Sequence, residues 1–242
     1  MALGVLGAGQ AQALTISLFN SFNFGGSTYR TYLADQPISW TTARNYAIGV
    51  TTTGLTGPAL GGAWDLVSIN SAAENTAIFN QIDTASLWNN SGFAPSGPLI
   101  GLFQPNGSTE PAGGWRWVDG TLASYTSWAG GEPNNSGSCS NVTGASNCES
   151  VASFRGVGGG LTRLDKWNDV TIGPTTIIVN GFPVGEPGGP LANNFFSFVV
   201  ESPVKAPGPL PISGALAAFG TSRKLRKRIK ATKAVGASIT VG

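Results

Sequence analysis

Histidine is absent from this chain of 242 residues. That absence excludes Ser-His and Cys-His nucleophilic catalysis, and any zinc site built on imidazole. Cysteine occurs only at Cys139 and Cys148, too few for a thiolate zinc site and enough for one disulfide. Charge is scarce as well: Asp, Glu, Lys and Arg make up 11% of the residues. With glycine, asparagine, serine and threonine abundant, the composition fits an extracellular or surface protein better than a cytosolic enzyme. The length allows one substantial core or two small ones.

The formal net charge of +2 conceals an asymmetry. All twelve acids lie within residues 14–201, against Arg30, Arg44, Arg116, Arg155, Arg163 and Lys166, which leaves that span at −6. The tail, with Lys205 and a basic cluster over 223–233, carries +8. The basic balance belongs to the tail and does not favour nucleic-acid binding by the body.

Three regions follow from composition. Residues 1–13 are small and apolar and end in Ala11-Gln12-Ala13, similar to the hydrophobic region and cleavage site of a secretory signal. No basic region precedes them, so a buried strand or short helix is the alternative. Residues 14–202 form the body. Residues 203–242 run from a stiff Pro207-Gly208-Pro209-Leu210-Pro211 linker through a short apolar stretch to the basic cluster. The apolar stretch, 212–220, is well short of the roughly twenty residues that a helix needs to cross a bilayer.

Within the body, Trp40, Ala43 and Ala47 recur at helical spacing after Ser39, a fitting N-cap. Ser71 with Glu74 three residues on reads as a capping box for a second helix, whose apolar face is Ile78, Phe79 and Ile82. Short apolar runs bounded by Gly, Pro and Asn predict strands at 99–103, 115–118, 150–154 and 195–201. Two early helices followed by strands predict an α+β domain with a long irregular loop over 129–147. Trp40, Trp115, Trp117 and Trp167 read as core; Trp88, beside Asn89 and Asn90, reads as the exposed one. Asp119 reads as fixing a turn with Gly120.

Two triplets carry the chemistry: Glu132-Pro133-Asn134 and Trp167-Asn168-Asp169. Each offers a carboxylate and a side-chain amide. Four such oxygens suit a hard cation, above all calcium, with coordination left over for sugar hydroxyls. Either triplet alone reads first as an ordinary polar turn.

In order along the chain, these residues resemble a C-type lectin domain. The resemblance covers roughly 28–201. It rests on Ser39-Trp40 and Ala43, on Gly61 through Ile69, and on Leu99-Ile100-Gly101-Leu102. It continues with Trp115-Arg116-Trp117-Val118-Asp119-Gly120, the two triplets, and Phe198-Val199-Val200-Glu201. The resemblance implies a C-type lectin-like fold, not an enzyme, with small antiparallel sheets. It implies that Glu132, Asn134, Asn168 and Asp169 ligate Ca2+ and hydrogen-bond a glycan, with Pro133 after a cis peptide bond. The Glu-Pro-Asn form implies mannose-type sugars. Cys148 matches a family cysteine whose usual partner is missing, and a Cys139–Cys148 bridge pinning the long loop is expected instead, worth roughly 2–3 kcal/mol on the chain-entropy model. The cysteines that in the family join the first helix to the last strand are replaced by Ala47 and Val200, an apolar pair fit to pack. Where the family has a further ligand glutamate, this chain has Ser146, which points toward a rival reading: a calcium-independent structural or protein-binding module. The tail is similar to bacterial PEP-CTERM sorting signals. That implies export to the cell surface or matrix, with a sorting protease and the cell envelope as partners besides a glycan or polysaccharide. A third reading makes Glu132 and Asp169 the acid–base pair of a hydrolase.

Overall fold

The computed structural model describes residues 13–202 except 51–54, 57–58, 91–93, 106, 136–148, 158–161, 172–175, 180–181 and 186–194. The 1–12 segment, the 203–242 tail, and both Cys139 and Cys148 with their expected bridge therefore lie outside the described residues.

The architecture is α+β, as the sequence predicts. The chain runs β1 (Leu14–Phe24), β2 (Ser27–Ile38), α1 (Trp40–Ile48), β3 (Leu55–Thr56), β4 (Asp65–Leu66), α2 (Ala72–Ile82), β5 (Ser96–Phe103) and β6 (Arg116–Trp117). It ends with β7 (Glu149–Val157), β8 (Thr162–Thr171), the small hairpin β9 (Thr176–Val179) and β10 (Phe182–Gly185), and β11 (Phe195–Ser202). The main sheet is ordered β3-β1-β2-β11-β5-β7-β8, with β4 on β11 and β6 on β5. β11, the last strand among the described residues, thus lies at the centre, antiparallel to β2 and parallel to β5.

Both helices start where their caps place them. Ser39 accepts from the Thr42 N–H at 3.0 Å, and α1 ends at Gly49 in the left-handed region, φ 81°. Ser71 accepts from the Glu74 N–H at 3.2 Å. Glu74 reaches one residue further back than a simple capping box, accepting from the Asn70 N–H at 2.8 Å and from the Tyr29 hydroxyl at 2.7 Å.

The central strands are buried on both faces, and so read as continuous apolar runs. Successive side chains still alternate between faces. Leu99, Phe103, Phe198 and Val200 join one cluster with α1, including Ala47, so Ala47 and Val200 share a core. Ile100, Leu102 and Val199 join the other with α2 and four tryptophans. Gly101 must be glycine: a Cβ there would lie 2.8 Å from the carbonyls of both Leu66 and Val67.

Three departures from the sequence reading have physical causes. The β1–β2 hairpin was not predicted; its turn is Gly25-Gly26, both at positive φ, which suits a tight two-residue connection. Strand β8 was not predicted either, because its half-buried, largely polar residues lack an apolar run. Trp88 is 5% exposed rather than at the surface. Its indole fills the space left by Gly97, where a Cβ would meet the ring at 2.7 Å, and its Nε1 donates to the Ile82 carbonyl at 2.7 Å.

Candidate functional site

Trp167 anchors the site. It is wholly buried between Trp117, Tyr125 and Trp128, and its Nε1 donates to Asn75 Oδ1 of α2 at 2.9 Å. Its backbone pairs with the incoming loop: the Trp167 N–H donates to the Ser127 carbonyl at 2.8 Å, and the Ala129 N–H to the Trp167 carbonyl at 2.9 Å. This short parallel pairing carries the chain into Gly131, at φ 88°, and then into Glu132 and Pro133, joined by a cis peptide bond. The first triplet is therefore delivered beside the second.

Asn168 and Asp169 are consecutive on β8, so their side chains leave in different directions: Asp169 meets the loop and Asn168 meets β7. The Asp169 carboxylate takes the Asn135 N–H at 2.7 Å and the Asn134 N–H at 3.0 Å, both on Oδ2. Asp169 is fully buried. Desolvation pushes its carboxyl above the usual carboxylate range, against the pull of the Asn135 and Asn134 N–H groups and the nearby charge of Arg155.

The sequence reading missed Arg155. On β7 it lies opposite Lys166, one step diagonal from Asn168, which faces Ser153. Its Nη1 donates to Asn168 Oδ1 at 2.6 Å and makes an ion pair with Glu132 Oε1. The Glu132 side chain is 3% exposed and that of Arg155 27%. The other carboxylate oxygen, Glu132 Oε2, is buried with no hydrogen-bond partner among the described residues. A signal for Arg155 was present: it is the one cation within β7, two residues from the position facing Asn168. Asn135 was also missed. At φ 48° it occupies a conformation that asparagine tolerates, and its Oδ1 accepts from the Glu149 N–H at 3.1 Å, tying the loop to the start of β7.

Glu132, Asn168 and Asp169 are thus gathered at one corner, while the Asn134 side chain is exposed. Ser146 lies outside the described residues, and Glu149 is buried at the head of β7. The residues as arranged do not fit a calcium ion: a guanidinium already holds Glu132 and Asn168, and backbone N–H groups hold Asp169. The two carboxylates of the hydrolase reading are each engaged by a different donor, Glu132 by Arg155 and Asp169 by the Asn134 and Asn135 N–H groups. Asp119 closes its turn by accepting from the Thr121 N–H at 2.8 Å and hydroxyl at 2.7 Å. Next to it is a separate pocket of about 200 Å³, lined in part by Asp65, Asn70, Asp119 and Glu201 and by none of the four candidate residues.

No family model matches the chain, and no curated protein does. Among solved structures it is similar to the C-type lectin CEL-I from Cucumaria echinata, at 22% identity over 76% of this chain and 94% of that one, TM-score 0.43. It is similar to the cow C-type carbohydrate-recognition domain of CD23, determined in the presence of a GlcNAc2Man3 oligosaccharide, at 18% identity over 77% and 95%, TM-score 0.44. It is also similar to a calcium-independent type II antifreeze protein, at 14% identity over 76% and 95%, TM-score 0.38.

Proposed function

We propose that this chain is an exported, non-enzymatic glycan-binding module of the C-type lectin type, acting at the cell surface or in an extracellular matrix. One observation supports the reading: the Asn134 backbone N–H donates to Asp169, thirty-five residues on, while Arg155 links Glu132 to Asn168. Side-chain amides beside a carboxylate and a guanidinium offer both donors and acceptors to a pair of sugar hydroxyls, and hydroxyls need both. The tail over 203–242 acts as a sorting segment read by an envelope protease. Weak single-site binding is made useful by display in many copies.

Two forms of this function differ in the cation. In the first, which the motif resemblance implies, Ca2+ bridges Glu132, Asn134, Asn168 and Asp169 to a mannose-type sugar. In the second the site works without calcium, and the Arg155 contacts to Glu132 and Asn168 favour it. Retention of the full chain on immobilised polysaccharides tests the shared claim. Glu132→Ala and Asp169→Ala are expected to abolish retention of at least one mannose-type glycan that the unaltered protein holds. Unchanged retention in both variants refutes this site.

A further inference from the structure

We propose that Arg155 is the resident cation of this corner, so that the site takes a neutral sugar's vicinal hydroxyls with a guanidinium in place of a metal ion. For its ligand the proposal rests on the glycan reading above; for its cation it does not.

Four observations carry it. Arg155 Nη1 is 2.6 Å from Asn168 Oδ1 and paired with Glu132 Oε1. Those are side chains that the motifs would give to calcium, and two cations cannot share them without repulsion. Asp169 is fully buried and already satisfied by the Asn134 and Asn135 N–H groups, so its charge is spent on holding the loop rather than offered outward. Arg155 keeps 27% of its side chain accessible beside the half-buried Asn168. A guanidinium carries five N–H donors in a planar fork, and those turned to solvent are free to meet sugar oxygens. Lastly, Glu132 Oε2 is a buried acceptor without a donor among the described residues. Leaving it so is costly, which makes the Arg155 charge beside Glu132 the more important to the buried carboxylate.

The test is calcium titration of the full chain by calorimetry, with no glycan present, on the unaltered protein and on Arg155→Met. The unaltered protein is expected to give no saturable binding up to about 10 mM calcium, beyond the weak extracellular range. Arg155→Met frees Glu132 and Asn168 and is expected to gain saturable millimolar binding, which Glu132→Gln in the same background removes. Saturable binding by the unaltered protein overturns the proposal, and so does a folded Arg155→Met that stays silent. Should Arg155→Met fail to fold, the melting temperature and heats of the unaltered protein decide: a response to calcium overturns the proposal, and none supports it. Glycan retention in EDTA is read separately. Its loss together with failure of all glycan binding removes the function but not the cation assignment; retention that needs calcium removes the cation assignment alone.

Discussion

Replacing Arg155 by Met strips the partner from a carboxylate that is 3% exposed. Breaking a fully buried ion pair from one side costs about 3–5 kcal/mol, because the remaining charge is stranded in low dielectric. Arg155 is 27% exposed, so water screens part of the attraction and admits some relaxation; that lowers the expected loss to about 2–3 kcal/mol. At about 2–4 °C per kcal/mol for a domain of this size, the melting temperature falls by roughly 4–12 °C. The double variant Glu132→Gln/Arg155→Met removes both charges and leaves nothing stranded. It is expected to recover most of that loss and to lie within about 1 kcal/mol of the unaltered protein. Urea unfolding of the full chain at neutral pH measures all three, with the Glu132→Gln single variant closing the cycle. Two results refute the reasoning: Arg155→Met within about 0.5 kcal/mol of the unaltered protein, or a double variant no more stable than Arg155→Met.

Two further outcomes follow, one at the same corner and one that includes Glu201 of β11. Asp169→Asn replaces one carboxylate oxygen by an N–H2 group that cannot accept, so the Asn134 and Asn135 N–H groups lose a charged partner; a loss of about 1–3 kcal/mol and faster amide exchange at both positions are expected by denaturation and hydrogen exchange. Burial raises the carboxyls of Asp169 and Glu201, the latter against hydrogen bonds from Ser68 and Ser27. The folded state therefore holds more protons than the unfolded one above the ordinary carboxylate range of about 4, and their contribution to stability falls as pH rises through the folded values. A urea midpoint followed from about pH 4 upward should show a shallower decline in Glu201→Gln than in the unaltered protein.

The helices were legible because capping is local: Ser39 and Ser71 act on N–H groups three residues away. The central strands were legible because burial on both faces leaves apolar runs, as in 99–103. Strand β8 was not, since polar and charged residues half-bury there without a clean alternation, and in β1 the Leu-Thr-Ile-Ser-Leu alternation is broken where the register shifts between Leu18 and Asn20. The two triplets were legible as candidate ligands, and the fold gathers Glu132, Asn168 and Asp169. Arg155 was not legible, because its meeting with Asn168 depends on the β7–β8 register and its meeting with Glu132 on the Ala129–Trp167 pairing. Trp88 misled for a similar reason: Asn89 and Asn90 suggest a wet surface, whereas the room for its ring is made by Gly97, nine positions on.

The most direct test of the account is a calorimetric titration of the best-retained mannose-type oligosaccharide into the full chain, first in EDTA and then in calcium. The account predicts the same weak, saturable binding in both buffers, lost in Asn168→Ala. Binding that appears only with calcium, or that survives Asn168→Ala unchanged, would contradict it.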